Sequence, residues 1–262
     1  MSKPRIAVHK FTSCDGCQLA FLNAGEALLT LSELVEISHF AEVGAIDPDM
    51  NVDIAFVEGS ISTPDDEKRI KQIRTNSKYI ITIGACATTG GIQALRNVAD
   101  YKNWVASVYA EPEYIKSLST STAISNHIKV DWELWGCPVN TKQVIDAIRS
   151  LLSNAAPRIK RDSVCLQCKR DGNVCVLVTK KQACMGPVTQ TGCGALCPSV
   201  GRACYACYGP KETLNTTSLG HWFEYLGLSK EAIAQQFLHI NNNAPAFNKA
   251  GQYFKGIKII NE

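Results

Sequence analysis

Apolar positions along the first 154 residues alternate between two kinds of pattern. Residues 5–10 (Arg-Ile-Ala-Val-His-Lys), 35–40, 78–83 and 130–135 are short apolar runs that predict strands. Residues 52–57 form a further apolar run of the kind that suits a parallel strand buried on both faces. Between the strands the spacing turns helical. Leu19, Leu22, Ala27, Leu28, Leu31 and Leu34 predict one helix from Gln18 to Val35, and Val144, Ile145, Ile148, Leu151 and Leu152 predict another from Asn140 to Ser153. Ser62-Thr63-Pro64-Asp65-Asp66-Glu67 is a helix start, with a hydroxyl cap, proline in the first turn and acids at the positive end of the dipole.

Strands that alternate with helices predict an α/β doubly wound parallel sheet. Ala155-Ala156-Pro157 reads as a linker, which divides the chain into domains 1–155 and 156–262. Residues 158–212 have no periodicity and are dense in cysteine and glycine, so this loop-rich stretch is expected to need something other than its own side chains to hold it. Helical patterns return around His221-Trp222-Phe223 and Ile233–Leu238.

The chain has 262 residues, 45% of them hydrophobic, which suffices for a core in each domain. Its mean hydropathy is near zero, and no apolar run reaches the roughly 18 residues of a membrane span. The sequence opens Met1-Ser2-Lys3-Pro4-Arg5 and runs directly into a strand, without an apolar signal region or a twin-arginine pair. The expectation is a cytoplasmic protein. A disulfide framework does not suit such a protein, so its 12 cysteines point to metal or cluster binding.

Cys14, Cys17, Cys86 and Cys137 each follow the carboxyl end of a predicted strand, where open parallel sheets bind ligands. Cys-x-x-Cys is a common bite for two corners of an iron–sulfur cubane, and Gly16, Gly84 and Gly136 let backbone N–H groups approach sulfur. A redox dithiol at Cys14–Cys17 and structural zinc are the competing readings. Eight more cysteines fall between 165 and 207. The simplest division is by order: Cys165, Cys168, Cys175 and Cys184, then Cys193, Cys197, Cys204 and Cys207. Two zinc sites are the rival here. Residues 158–212 carry nine Lys/Arg against three Asp/Glu, with only Tyr205 and Tyr208 among them as aromatics. That composition suits anionic clusters better than nucleic acid. Three all-cysteine four-iron clusters, each adding about −2, would bring the formal +3 to about −3.

Cys14-Asp-Gly-Cys17, Glu58-Gly59-Ser60, Gly84-Ala-Cys86-x-x-x-Gly90-Gly91, Gly136-Cys137-Pro138, Cys184-Met-Gly-Pro-x5-Cys193 and Cys204-x-x-Cys207, in this order, resemble the NiFe-hydrogenase small subunit. The likeness is to the cytoplasmic, multimeric, NAD(P)-linked branch that includes sulfhydrogenase delta subunits. The resemblance implies a flavodoxin-like domain holding a proximal cluster on Cys14, Cys17, Cys86 and Cys137. It also implies a second domain with a distal cluster on Cys165, Cys168, Cys175 and Cys184 and a medial cluster on Cys193, Cys197, Cys204 and Cys207. Cys165 stands where periplasmic relatives have histidine, and Cys197 supplies a fourth medial thiol, so three 4Fe-4S clusters are expected.

The implied function is electron relay. A NiFe-hydrogenase large subunit would carry the hydrogen chemistry, and a flavin/iron–sulfur diaphorase-type subunit would reach NAD(P). This chain has no Gly-x-Gly-x-x-Gly fingerprint of its own and no expected catalytic residue. Deazaflavin- or heterodisulfide-linked hydrogenases are alternatives with the same wiring, and a colourless zinc-stapled interaction module is an alternative of another class. Glu58 is expected either to interact functionally beside the first group or simply to cap a turn. His9, His39, His127, His221 and His239 lack metal spacing, and Trp222, Phe223 and Tyr225 suit core or subunit interface.

Overall fold

A computed structural model describes residues 3–257. The chain divides into two compact units, the first ending at Arg158 and the second beginning at Ile159.

The first unit is built on five strands: β1 (Arg5–Lys10), β2 (Glu36–Phe40), β3 (Val52–Glu58), β4 (Ser77–Ile83) and β5 (Trp132–Leu134). They lie in the order β2-β1-β3-β4-β5 with every pairing parallel, a flavodoxin-like order. In register, Ile6 faces Ile54 and Lys10 faces Glu58, so β1 and β3 end level. The order in which strands are added reverses between these two strands, and the crevice of such folds opens at their carboxyl ends.

Helices α1 (Gly16–Leu22), α2 (Glu26–Leu34), α3 (Pro64–Thr75), α4 (Gly84–Thr89), α5 (Tyr101–Val108) and α6 (Thr141–Leu152) complete this unit. Ala7, Ala55, Val57 and Ile80 pack with Ile70 and Ile73 of α3 on one face. On the other, Phe21 of α1 meets Phe56 edge-on at 5.1 Å, and Thr141 Oγ1 donates to the Ala20 carbonyl at 2.7 Å, tying α6 to α1. Both sheet faces are therefore covered, as the continuous apolar character of β3 requires. The start of α3 is as expected: Thr63 and Asp66 form a reciprocal capping box, with Pro64 in the first turn.

The single helix expected over 18–35 is two. Asn23-Ala24-Gly25 turns the chain, with Gly25 at φ 56°, and α2 begins afresh at Glu26. Leucine spacing carries across that turn, so periodicity alone does not reveal it. β5 is shorter than the expected 130–135 because only Trp132, Glu133 and Leu134 pair with β4.

The second unit begins with three short helices, α7 (Val164–Arg170), α8 (Val176–Thr179) and α9 (Leu196–Ser199), separated by loops. This stretch lacks periodicity but is not coreless. Val164, Val176, Met185 and Val188 are all at most 3% exposed. Backbone bonds from Val164 to Thr189, Met185 to Cys204 and Gln190 to Gly209 cross-link it at 2.8–3.1 Å. Helices α10 (Thr216–Tyr225), α11 (Lys230–Phe237) and α12 (Pro245–Phe254) follow. They bury Phe223, Phe237, Phe247 and Phe254, with Phe237 and Phe254 stacked at 6.2 Å. Gly220 lets α12 approach, since a Cβ there would lie 2.1 Å from Phe254. Asn241 Nδ2 donates to the Ala206 carbonyl at 2.8 Å and so ties the helical part to the last cysteine loop. Among the described residues no helix is long and apolar enough to cross a membrane.

Candidate metal centres

Cys14 lies in the loop after β1 and Cys17 at the start of α1; Cys86 is in α4, after β4, and Cys137 follows β5. The structure thus brings all four to the carboxyl end of the sheet. A Cβ on Gly16 would sit 3.4 Å from Cys14 Sγ and 3.6 Å from Pro138, so the first loop abuts the Gly136–Pro138 turn. A Cβ on Gly84 would sit 2.3 Å from Cys17 Sγ and 3.4 Å from the Gly136 carbonyl, so any side chain there would displace the sulfur. The Ala85 N–H donates to the same carbonyl at 2.7 Å. Cys17 Sγ accepts the Val139 N–H at 3.4 Å, and the Cys86 thiol donates to Gln93 Oε1 at 3.3 Å.

Burial pushes the Cys17 thiol well above its ordinary value and the Cys86 thiol up to about 12. Charge on Cys137 and Cys14 pushes Cys86 further, and Cys137 rises through burial and then through Cys14. The four sulfurs are near enough to oppose one another's ionisation. Bringing Cys17, Cys86 and Cys137 to thiolates together calls for positive charge among them.

Glu58 ends β3 inside this crevice, 2% exposed. Its Oε1 accepts the Cys17 N–H at 3.0 Å, a bond that caps α1 where Asp15 makes no side-chain cap. Burial raises its carboxyl above the ordinary range, and the Cys17 N–H acts the other way. Of the two roles expected for Glu58, capping is the one visible. Gln18, beside it in sequence to Cys17, is 1% exposed. Neither Gln18 nor Gln93 carries a sequence signal, because a lone glutamine has no metal-ligand spacing.

In the second unit, a Cβ on Gly186 would lie 3.4 Å from Cys165 Sγ and 3.5 Å from Cys184 Sγ. Burial raises Cys165 to about 11, with Cys184, Cys175 and Cys168 adding to it. Cys168 rises by burial and then through Cys175 and Cys184. These four therefore gather. Cys197 is raised by burial and then by Cys193, and Cys204 by burial, with Cys184 and Cys207 contributing. Cys193 thus lies near Cys197, and Cys207 near Cys204. Cys184 also touches the final group: its Sγ accepts the Cys204 N–H at 3.3 Å. Among the described residues no three His, Cys, Asp or Glu side chains stand close enough to share a single metal ion.

The histidines lie elsewhere in these interactions. His9 and His39 stack at 4.8 Å, His127 Nε2 bonds the Thr122 hydroxyl at 2.8 Å, and His221 bonds Glu224 at 2.7 Å. Phe223 is core, whereas Trp222 and Tyr225 are exposed.

The model of the NADH ubiquinone oxidoreductase 20 Kd subunit family matches residues 14–151, the stretch that carries the first four cysteines. Sulfhydrogenase 2 subunit delta of Pyrococcus furiosus is 32% identical over 88% of this chain and 97% of its own length. The chain belongs to this family, as a hydrogenase small subunit. The delta subunit of the NAD-reducing hydrogenase HoxS of Cupriavidus necator is 27% identical over 58% of this chain and 79% of its own. In fold, this small subunit is similar to an actinobacterial-type NiFe-hydrogenase from Ralstonia eutropha H16, with a TM-score of 0.59 at 15% identity over 98% of this chain and 91% of that one. As a small subunit it is a component of a hydrogenase complex. Its eight-cysteine segment lies beyond the span of the family model.

Proposed function

We propose that this small subunit relays electrons through three 4Fe-4S clusters. Cys14, Cys17, Cys86 and Cys137 hold the proximal one, Cys165, Cys168, Cys175 and Cys184 the distal one, and Cys193, Cys197, Cys204 and Cys207 the medial one. The observation that carries this reading is the meeting of Cys14, Cys17, Cys86 and Cys137, from three separate stretches of the sequence, at the carboxyl end of the sheet, where a Cβ on Gly84 would lie 2.3 Å from Cys17 Sγ. The donor set fits a cluster: thiolates, a backbone N–H on Cys17 Sγ and another on Cys184 Sγ.

Bound clusters would supply one-electron carriers. The protein's own residues do the rest. Glu58 fixes the Cys17 loop through its backbone N–H. The apolar sheet keeps water from Cys17, which is 7% exposed. The nine Lys/Arg of residues 158–212 offset anionic charge in the second unit.

The partners are a NiFe-hydrogenase large subunit, where hydrogen is split, and a flavin/iron–sulfur diaphorase-type subunit that exchanges electrons with NAD(P), in the cytoplasm. Likeness to the delta subunit of an NAD-reducing hydrogenase supports this acceptor. Anaerobic purification of the complex tests it. The expected result is hydrogen-dependent bleaching of a brown chromophore, coupled to NAD(P) reduction by co-purifying chains. Reduction of a deazaflavin in place of NAD(P) overturns the acceptor assignment, and a colourless zinc protein overturns the relay.

A further inference from the structure

Cys17 and Cys86 differ in what holds their sulfurs. Cys17 Sγ accepts a backbone N–H, that of Val139, which donates whatever the state of the site. Cys86 Sγ instead faces a side-chain amide, and its thiol donates to Gln93 Oε1 at 3.3 Å. The contact is built by the turn after α4. Gly90 and Gly91 both have positive φ, 86° and 58°, and swing the chain back so that the 3-10 segment Gly91–Val98 lies over Cys86. A Cβ on Gly91 would fall 2.7 Å from Cys86 Sγ, so only glycine permits this return. Gln93 is thereby held opposite one sulfur, within hydrogen-bond reach.

A ligating Cys86 has no proton. It is a thiolate that accepts only, and Gln93 Oε1 facing it would set two acceptors against each other. The two ends of a glutamine amide have nearly the same shape, so a half-turn about the last side-chain bond replaces the carbonyl with N–H at the same distance. We propose that Gln93 is a positioning residue for the cluster of the first cysteine group: its amide turns when the cluster is assembled and donates an N–H to Cys86 Sγ, raising the potential at which that cluster accepts an electron. The sign follows from charge. A donor to sulfur stabilises the more negative, reduced state, and hydrogen bonds to sulfur are among the determinants of cluster potential. The inference rests on the assignment of Cys14, Cys17, Cys86 and Cys137 to a cluster.

The test is a redox titration of the complex followed by electron paramagnetic resonance, reading the signal that Cys86→Ser abolishes. Gln93→Met keeps length and loses the donor, and Gln93→Glu keeps shape but presents acceptors. Both are expected to lower the midpoint with iron content unchanged, Met by a tenfold change in the oxidised-to-reduced ratio, which is about 59 mV for a one-electron couple, and Glu by more. A loaded variant with the wild-type midpoint overturns the role of Gln93. Absence of any iron–sulfide core on the first group overturns the cluster assignment instead. Should neither variant load, glutamine side chains labelled with 15N decide in their place. Hyperfine coupling to the reduced cluster in a Gln18→Met chain sustains the proposal, and its absence overturns it.

Discussion

In the unit ending at Arg158, four cysteines hang from a sheet that is complete without them. β3 and β4 lie between paired neighbours, Ile80, Ile81 and Ile83 are fully buried, and helices cover both faces. In the unit beginning at Ile159, eight cysteines occupy a segment whose regular elements are helices of seven, four and four residues. Its side-chain core is small, although the helices after it have an aromatic core of their own. Helices this short are not stable alone. The contrast shows two ways to place thiols. One sets them on strand ends that hydrophobic burial already fixes. The other, on the reading proposed above, adds what the thiols bind to a small core and a few backbone cross-links.

Depriving the protein of iron should break the comparison most openly. In amide exchange, residues 164–207 are expected to lose protection while β3 and β4 keep theirs; equal loss in both places would erase the distinction. Next in size is Phe223→Ala in α10, which is fully buried. It should cost about 3–5 kcal/mol in denaturant unfolding of the second unit, and a cost under 1 kcal/mol would mean that the helical tail leans on the cysteine segment rather than on its own core.

Acid should separate the units further. Burial, and then His39 and Arg69, lower His9 in β1 from 6.5 to about 3. Its neutral form is favoured by folding, so this stability is full above pH 6.5 and is lost as the pH falls toward 3, by at most about 5 kcal/mol. His221 and His239 of the second unit are exposed. His9→Leu should flatten the acid limb of unfolding of the first unit alone, which a pH series of melts reads directly. Smallest is Thr63→Ala, which removes the capping box of α3 and should cost about 1 kcal/mol, with no change in iron content.

The same contrast explains what was legible in the sequence. Burial on both faces made β3 and β4 continuous apolar runs, and the Ser62–Glu67 signature marked the start of α3. The carboxyl ends of these strands then placed Cys86 and Glu58 before any contact was known. Legibility failed where side chains carry no period. The turn at Gly25 hides inside leucine spacing that suits either one helix or two. α4 and α5 are too short to show a pattern. The density of the cysteine segment pointed to metal or cluster binding, but it did not show the small Val164–Val176–Met185–Val188 core, nor the contact of Cys184 with Cys204. Gln93 was invisible because its meaning comes from a turn that returns it to Cys86.

The central claim is that the thiols form three separate tetrads, each around its own inorganic core. Iron and sulfide counts on anaerobic protein with one ligand removed from each set, as Cys86→Ser, Cys168→Ser and Cys207→Ser, test it most directly. The account predicts about 12 irons in the parent and about eight in each variant. Stoichiometric zinc in the parent, or an iron count that one of these substitutions leaves untouched, would contradict it.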